Sequence, residues 1–97
     1  MTMSPGNLLR DYRAAFLRHL VRREETTRNA GYELGRAALE GGLTMLDVVC
    51  AHHEVLIEVL HEGPADESTL AASAAAEFLL EVLSSYDMAH RALTPDG

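Results

Sequence analysis

The stretch Tyr32-Glu-Leu-Gly-Arg-Ala-Ala-Leu-Glu-Gly-Gly-Leu-Thr-Met-Leu-Asp-Val-Val-Cys-Ala-His-His-Glu-Val-Leu56 decides the fold of this chain. It indicates the end of one helix, a Gly41-Gly42 break, a new N-cap at Thr44 and the beginning of a second helix. Asp47 stands at the position where a capping box carries a Glu or Gln. The helix that follows is apolar around most of its circumference, so it needs more than one partner surface to cover it. In a chain of 97 residues, this favours self-association or partner binding over catalysis.

Hydrophobic periodicity predicts four helices, at about 7–24, 25–40, 44–61 and 66–93, with Asn7 as the cap of the first. Residues 94–97 are expected to form a tail or to begin a linker. The length fits one domain, and the scarcity of aromatic residues, 5% of the chain, favours helices over strands. We therefore expect residues 1–97 to form a single all-α regulatory or dimerisation domain. Its predicted architecture is a four-helix bundle that dimerises through its helices.

Each predicted helix carries one face suited to a core. The predicted core faces are Leu8, Tyr12, Ala15, Phe16, His19 and Leu20 on the first helix, Gly31, Leu34, Gly35 and Ala38 on the second, and Ala71, Ala75, Phe78, Leu79, Val82, Leu83, Tyr86 and Leu93 on the fourth. Three apolar residues, Leu17, Val21 and Leu80, fall outside these faces. They are either exposed or in contact with a second surface.

The charge distribution excludes one class of partner. Residues 1–48 hold seven arginines against six acids, giving +1, whereas residues 49–97 hold one arginine against nine acids, giving −8; the total is −7. Nucleic-acid binding needs a concentrated basic surface, so it is not expected. The chain has no apolar run of membrane-spanning length and no pattern typical of a signal peptide. The single Cys50 fits a reducing cytoplasm.

Two arrangements invite a chemical interpretation. Glu58 with His61, and Asp87 with His90, each place a carboxylate and an imidazole three residues apart, as di-metal helical bundles do. Glu58 and His61 lie on the polar stripe of their helix, so a small metal-binding bundle is only an alternative, and no cofactor is expected. Cys50 falls in the middle of the apolar arc and is predicted to be a small core residue rather than a nucleophile.

The histidines of the third helix have a simpler interpretation. His52 and His53 lie inside the apolar arc, on different sides of it. Each is expected to make one hydrogen bond at a helix–helix contact, and a pH-sensitive dimer contact is the alternative.

Two blocks of this sequence resemble a known family, the N-terminal domain of RsbU-type phosphoserine phosphatases. The first is the Tyr32–Leu56 stretch, especially Thr44-Met-Leu-Asp-Val-Val, and the second is Glu77-Phe-Leu-Leu-Glu-Val-Leu-Ser-Ser-Tyr-Asp-Met-Ala-His90. The resemblance implies a non-catalytic, all-α, dimeric domain similar to the C-terminal domain of the circadian clock protein KaiA. It further implies a role in the bacterial general stress response, where the domain controls an attached phosphatase.

The resemblance also implies a partner. In this family the domain docks RsbT, a switch protein of the serine-kinase (GHKL) type. The family's docking surface corresponds to Glu25 and Asn29 on the second helix and to Leu80 and Ser84 on the fourth. At two of these positions, Asn29 and Ser84, the family example has a tyrosine and an isoleucine.

The dimer seam is expected mainly on the third helix. The predicted interface residues are Val48, Val49, His52, Leu56 and Val59. A stand-alone structural dimerisation module, without a switch partner, is the other alternative to the regulatory function.

Overall fold

The computed structural model describes residues 3–93, and within that range it contains four α-helices and no strand. The helices are α1 (Pro5–Val21), α2 (Glu25–Glu40), α3 (Met45–Glu62) and α4 (Ser68–Leu93), with a 3-10 turn at Ala65–Glu67 before α4. The all-α prediction is confirmed. The predicted tail at 94–97 lies outside the described residues.

The first helix differs from the prediction at both ends. Ser4, not Asn7, is its N-cap: the backbone N–H of Asn7 donates to Ser4 Oγ at 3.1 Å, and Pro5 opens the helix. It ends at Val21 rather than at residue 24, because Glu24 is extended and serves as the N-cap of α2. The backbone N–H of Glu24 donates to the hydroxyl of Thr27 at 3.1 Å, which is one half of a capping box and was not predicted from the sequence.

The α2–α3 turn follows the prediction closely. Gly42 has φ +86°, and its N–H donates to the carbonyl of Leu39 at 3.0 Å, while the N–H of Leu43 donates to the carbonyl of Ala38 at 2.9 Å. These are the two hydrogen bonds of a Schellman motif, in which glycine is favoured at the left-handed position. Thr44 then caps α3, completing the predicted capping box with Asp47.

Glycines bring α2 unusually close to α4. A Cβ atom on Gly35 would overlap Ser85 Oγ and the carbonyl oxygen of Val82, and a Cβ on Gly31 would lie 3.0 Å from the ring of Phe78. This close approach explains why Ser85 is fully buried although the sequence pattern did not place it in the core. Its hydroxyl donates to the carbonyl of Val82 at 3.1 Å.

The core lies between α4 and the other three helices. Most of the predicted face residues are buried, with Leu20, Leu79 and Leu83 only partly so. The prediction for Leu93 is wrong: it is exposed, in the last turn of α4. Leu17, Val21 and Leu80, the apolar residues outside the predicted faces, are all exposed.

Candidate interaction surfaces

The third helix leaves part of its apolar surface uncovered in the single chain. Only Val48, Ala51 and Val55 are buried. The exposed side carries six residues at spacings of three, four, seven, eleven and fourteen, which places them on one face over about 21 Å of helix. These residues, here called the α3 stripe, are Leu46, Val49, Cys50, His53, Ile57 and Leu60.

The structure sorts the predicted dimer residues into three groups. Val48 has no exposed surface within the single chain, so in this conformation it offers none to a second copy. Val49 is exposed on the α3 stripe, while His52, Leu56 and Val59 are partly buried beside the core. Sequence reasoning did not select Leu46, Ile57 and Leu60 for the interface, although they lie in the same apolar arc.

The prediction that Cys50 is a core residue is wrong. It is exposed on the α3 stripe rather than buried in the core. The helix is apolar on both its inner and outer sides, and periodicity alone does not distinguish the side that meets its own chain from the side that faces outward. Cys50 happens to lie on the outer side.

His52 makes the single hydrogen bond that was predicted for it. Its Nδ1 lies 2.8 Å from the hydroxyl of Tyr12, which joins α3 to α1. Burial lowers the pKa of His52, and the neighbouring His53 lowers it further. Burial also raises the pKa of Tyr12 far above its usual range. His53 is exposed.

The second surface combines α2 with α4. The four residues carried over from the family resemblance, Glu25, Asn29, Leu80 and Ser84, are all exposed. Leu80 is 68% exposed, and leucines elsewhere on the chain are equally exposed, such as Leu46 and Leu93 at 70%. What sets Leu80 apart is its position beside the polar docking residues rather than the degree of its exposure.

A charged cluster supports this surface from beneath. Glu77, one turn before Leu80, accepts a hydrogen bond from Nε of Arg23 at 3.3 Å and lies 2.8 Å from Nε2 of His19. Arg28 of α2 approaches the other oxygen of Glu77 at 3.9 Å. The hydrogen bond from Arg23, followed by that of His19, lowers the pKa of Glu77. One carboxylate thus joins α1, α2 and α4.

The buried member of this cluster is fully satisfied. His19 has no exposed surface, and its Nδ1 lies 2.8 Å from the hydroxyl of Thr27. Its two ring nitrogens therefore connect α1 to the first turn of α2 and to α4. This arrangement fixes the beginning of α2, where Glu25 and Asn29 lie.

Three of the four residues of the metal-binding alternative, Glu58, Asp87 and His90, have other partners. Glu58 accepts two hydrogen bonds from Arg13, the shorter at 2.7 Å, and Asp87 pairs with Arg91 at 3.1 Å. The ring of His90 stacks on that of Tyr86, with centroids 6.5 Å apart. Among residues 3–93, no group of three or more histidine, cysteine, aspartate or glutamate side chains could hold a metal ion.

No helix in the described part of the chain is long and apolar enough to cross a membrane.

These features define an all-α fold that presents exposed apolar helical faces. The family model described as phosphoserine phosphatase RsbU, N-terminal domain, matches residues 10–89. The match covers most of the chain, including the whole Tyr32–Leu56 block and the second block except its last residue, His90. The chain belongs to that family. No curated protein and no solved structure gives a significant match to this chain.

Proposed function

We propose that this domain forms a homodimer, docks a serine-kinase-like (GHKL) switch protein of the RsbT type, and so controls an attached phosphatase in a bacterial general stress response. Membership of the RsbU N-terminal family supports the regulatory role. The observation that carries the docking claim is the exposure of Leu80 on the surface formed by α2 and α4.

The α3 stripe supports the dimer. A row of exposed aliphatic side chains along one helix face is stabilised when a second helix covers it. A two-fold dimer would bring the same stripe from both copies together, so each residue contributes twice. The proposed interface comprises Val49, His52, Leu56 and Val59, extended by the exposed stripe residues Leu46, Ile57 and Leu60; Val48 is left in the core.

The docking surface would work as a small apolar contact surrounded by polar groups. Leu80 supplies the apolar side chain, and Glu25, Asn29 and Ser84 surround it with hydrogen-bonding groups. Interfaces of this kind depend on a few central residues, while the polar rim contributes less to affinity. The Glu77 cluster beneath the surface keeps α2 and α4 in register, which pre-organises the contact.

Titration calorimetry with a purified GHKL switch protein from the same genome tests the proposal. The variant Leu80→Asp should weaken binding at least tenfold, because it places a carboxylate in an apolar contact. Leu70→Asp is a matched control, since Leu70 is 61% exposed on the same helix and is not among the proposed docking residues. It should bind like the wild type.

Circular dichroism and sedimentation separate docking from folding. Leu80→Asp should keep the helicity and the dimer of the wild type. Unfolding of Leu80→Asp would show that Leu80 has a structural role and would contradict its assignment to the docking surface. A stable dimer that binds no GHKL protein would instead favour the structural dimerisation module.

A further inference from the structure

The outer face of α1 carries an exposed apolar pair that neither proposed surface uses. Leu17 is 41% exposed and Val21 is 88% exposed, the highest value among the exposed large hydrophobic residues. Together with Arg18, Arg22 and Thr27 they line an open groove of about 590 Å³. The groove contains no residue of the α3 stripe and none of the four docking residues.

The two arginines of this groove differ from the rest of their type. The chain has eight arginines, no lysine and fifteen acids, so carboxylates are in excess. Six arginines form ion pairs: Arg10 with Asp11, Arg13 with Glu58, Arg23 and Arg28 with Glu77, Arg36 with Glu40, and Arg91 with Asp87. Within residues 3–93, Arg18 and Arg22 have no such partner.

The four side chains line one groove although only three of them belong to the helix. Leu17 and Val21 lie four residues apart on α1, so they are about 6 Å apart along its axis. Arg18 follows Leu17 on α1, and Arg22 follows Val21 as the extended C-cap of the helix. The two cations without an ion pair therefore border the aliphatic pair on a chain of net charge −7.

We propose that this face docks an acidic amphipathic helix of another protein. The complementary helix would carry two aliphatic side chains four residues apart beside two carboxylates with the same spacing. Both arginines could then form ion pairs while the two aliphatic rows cover each other. Two cations on a strongly acidic chain are a weak match for an anionic bilayer, which membrane-binding helices usually engage through several basic residues.

Binding of a designed peptide to the full chain tests this proposal. The probe is an alanine-based helical peptide containing Leu-Glu-Ala-Ala-Leu-Glu, and its matched control replaces both glutamates by glutamine. Fluorescence anisotropy should show saturable binding of the glutamate peptide that weakens as salt is added. The glutamine peptide should bind about tenfold more weakly, as expected for the loss of two ion pairs.

A charge swap makes the test specific. The double variant Arg18→Glu with Arg22→Glu should no longer bind the glutamate peptide. It should instead bind a peptide containing Leu-Lys-Ala-Ala-Leu-Lys. Arg91→Glu on α4 is the control and should bind like the wild type. Because these variants alter neither the α3 stripe nor Leu80, dimerisation and docking of the switch protein should remain unchanged, so failure here is distinguishable from failure of the proposed function.

Three results would overturn the proposal. One is equal affinity of the glutamate and glutamine peptides, or no saturable binding of either. Another is tight binding of the chain to anionic phosphatidylserine vesicles through Arg18 and Arg22, which would assign the face to a membrane. The third is a self-association that Arg18→Glu with Arg22→Glu abolishes, which would assign it to a second copy of this chain.

Discussion

Replacing Ile57 with alanine should weaken the proposed dimer without unfolding the domain. Ile57 lies in the α3 stripe and is 53% exposed in the single chain. Burying a whole isoleucine side chain stabilises by about 1.5–3 kcal/mol, so covering the exposed half contributes about 0.8–1.5 kcal/mol per copy. A two-fold interface contains two copies, and the loss is about 1.5–3 kcal/mol. The dimer dissociation constant should therefore rise about 10- to 150-fold.

Sedimentation equilibrium over a range of protein concentrations measures this constant directly. Val21→Ala is the matched control, because Val21 is an even more exposed β-branched residue that lies on α1. Circular dichroism should show unchanged helicity in both variants, since alanine favours helices. An unchanged dissociation constant for Ile57→Ala, or an equal loss for Val21→Ala, would refute the placement of the interface on the α3 stripe.

Four further variants test the fold and its pH dependence. Gly35→Ala should destabilise the domain by about 2–3 kcal/mol in urea unfolding, because the new Cβ meets the backbone of α4, and Gly31→Ala should cost less because the ring of Phe78 can shift. Thr44→Ala should cost about 1 kcal/mol by removing the α3 cap, a loss that hydrogen exchange in the first turn of α3 would localise. Burial lowers the pKa of His52 in the folded protein, so the unfolded state binds the proton more tightly and stability should fall as the pH drops below about 6.5. The variant His52→Asn should therefore show a smaller change of thermal midpoint with pH below about 6.5. A change with pH as large as that of the wild type would contradict this role of His52.

The features that sequence predicted well are local ones. The Gly41-Gly42 ending and the Thr44 cap depend on hydrogen bonds within a few residues, so residue type and spacing were enough to predict them. The prediction for the beginning of α1 was wrong although the signal there is also local. Ser4 and Asn7 both have side chains that can cap a helix, and Ser4 is the residue that does so. Choosing between competing caps requires knowing where the helix packs.

The orientation of α3 was beyond sequence reasoning. Its apolar arc includes both Val48, which is fully buried, and Cys50, which is exposed, and no local pattern separates them. The inner side is set by contacts with distant residues, such as the hydrogen bond between Tyr12 and His52. Ser85 was missed for the same reason, because the glycines that bury it lie on another helix.

The candidate docking surface could be predicted only in part from the residues. Leu80 could be recognised because an apolar side chain falls among polar positions of its helix. Asn29 and Ser84 are ordinary surface residues by every physical criterion, and their assignment depends on the family resemblance alone. The Glu77 cluster was not predicted, since it joins three helices that are far apart in sequence.

The central claim is that the surface around Leu80 docks a switch protein. Its most direct test is to measure the affinity of a purified GHKL switch protein for the wild type, Leu80→Asp and Leu70→Asp side by side. Binding by the wild type and Leu70→Asp, with at least a tenfold loss in a folded, dimeric Leu80→Asp, is the result we predict. Equal affinity for all three proteins, or no binding to the wild type, would contradict it.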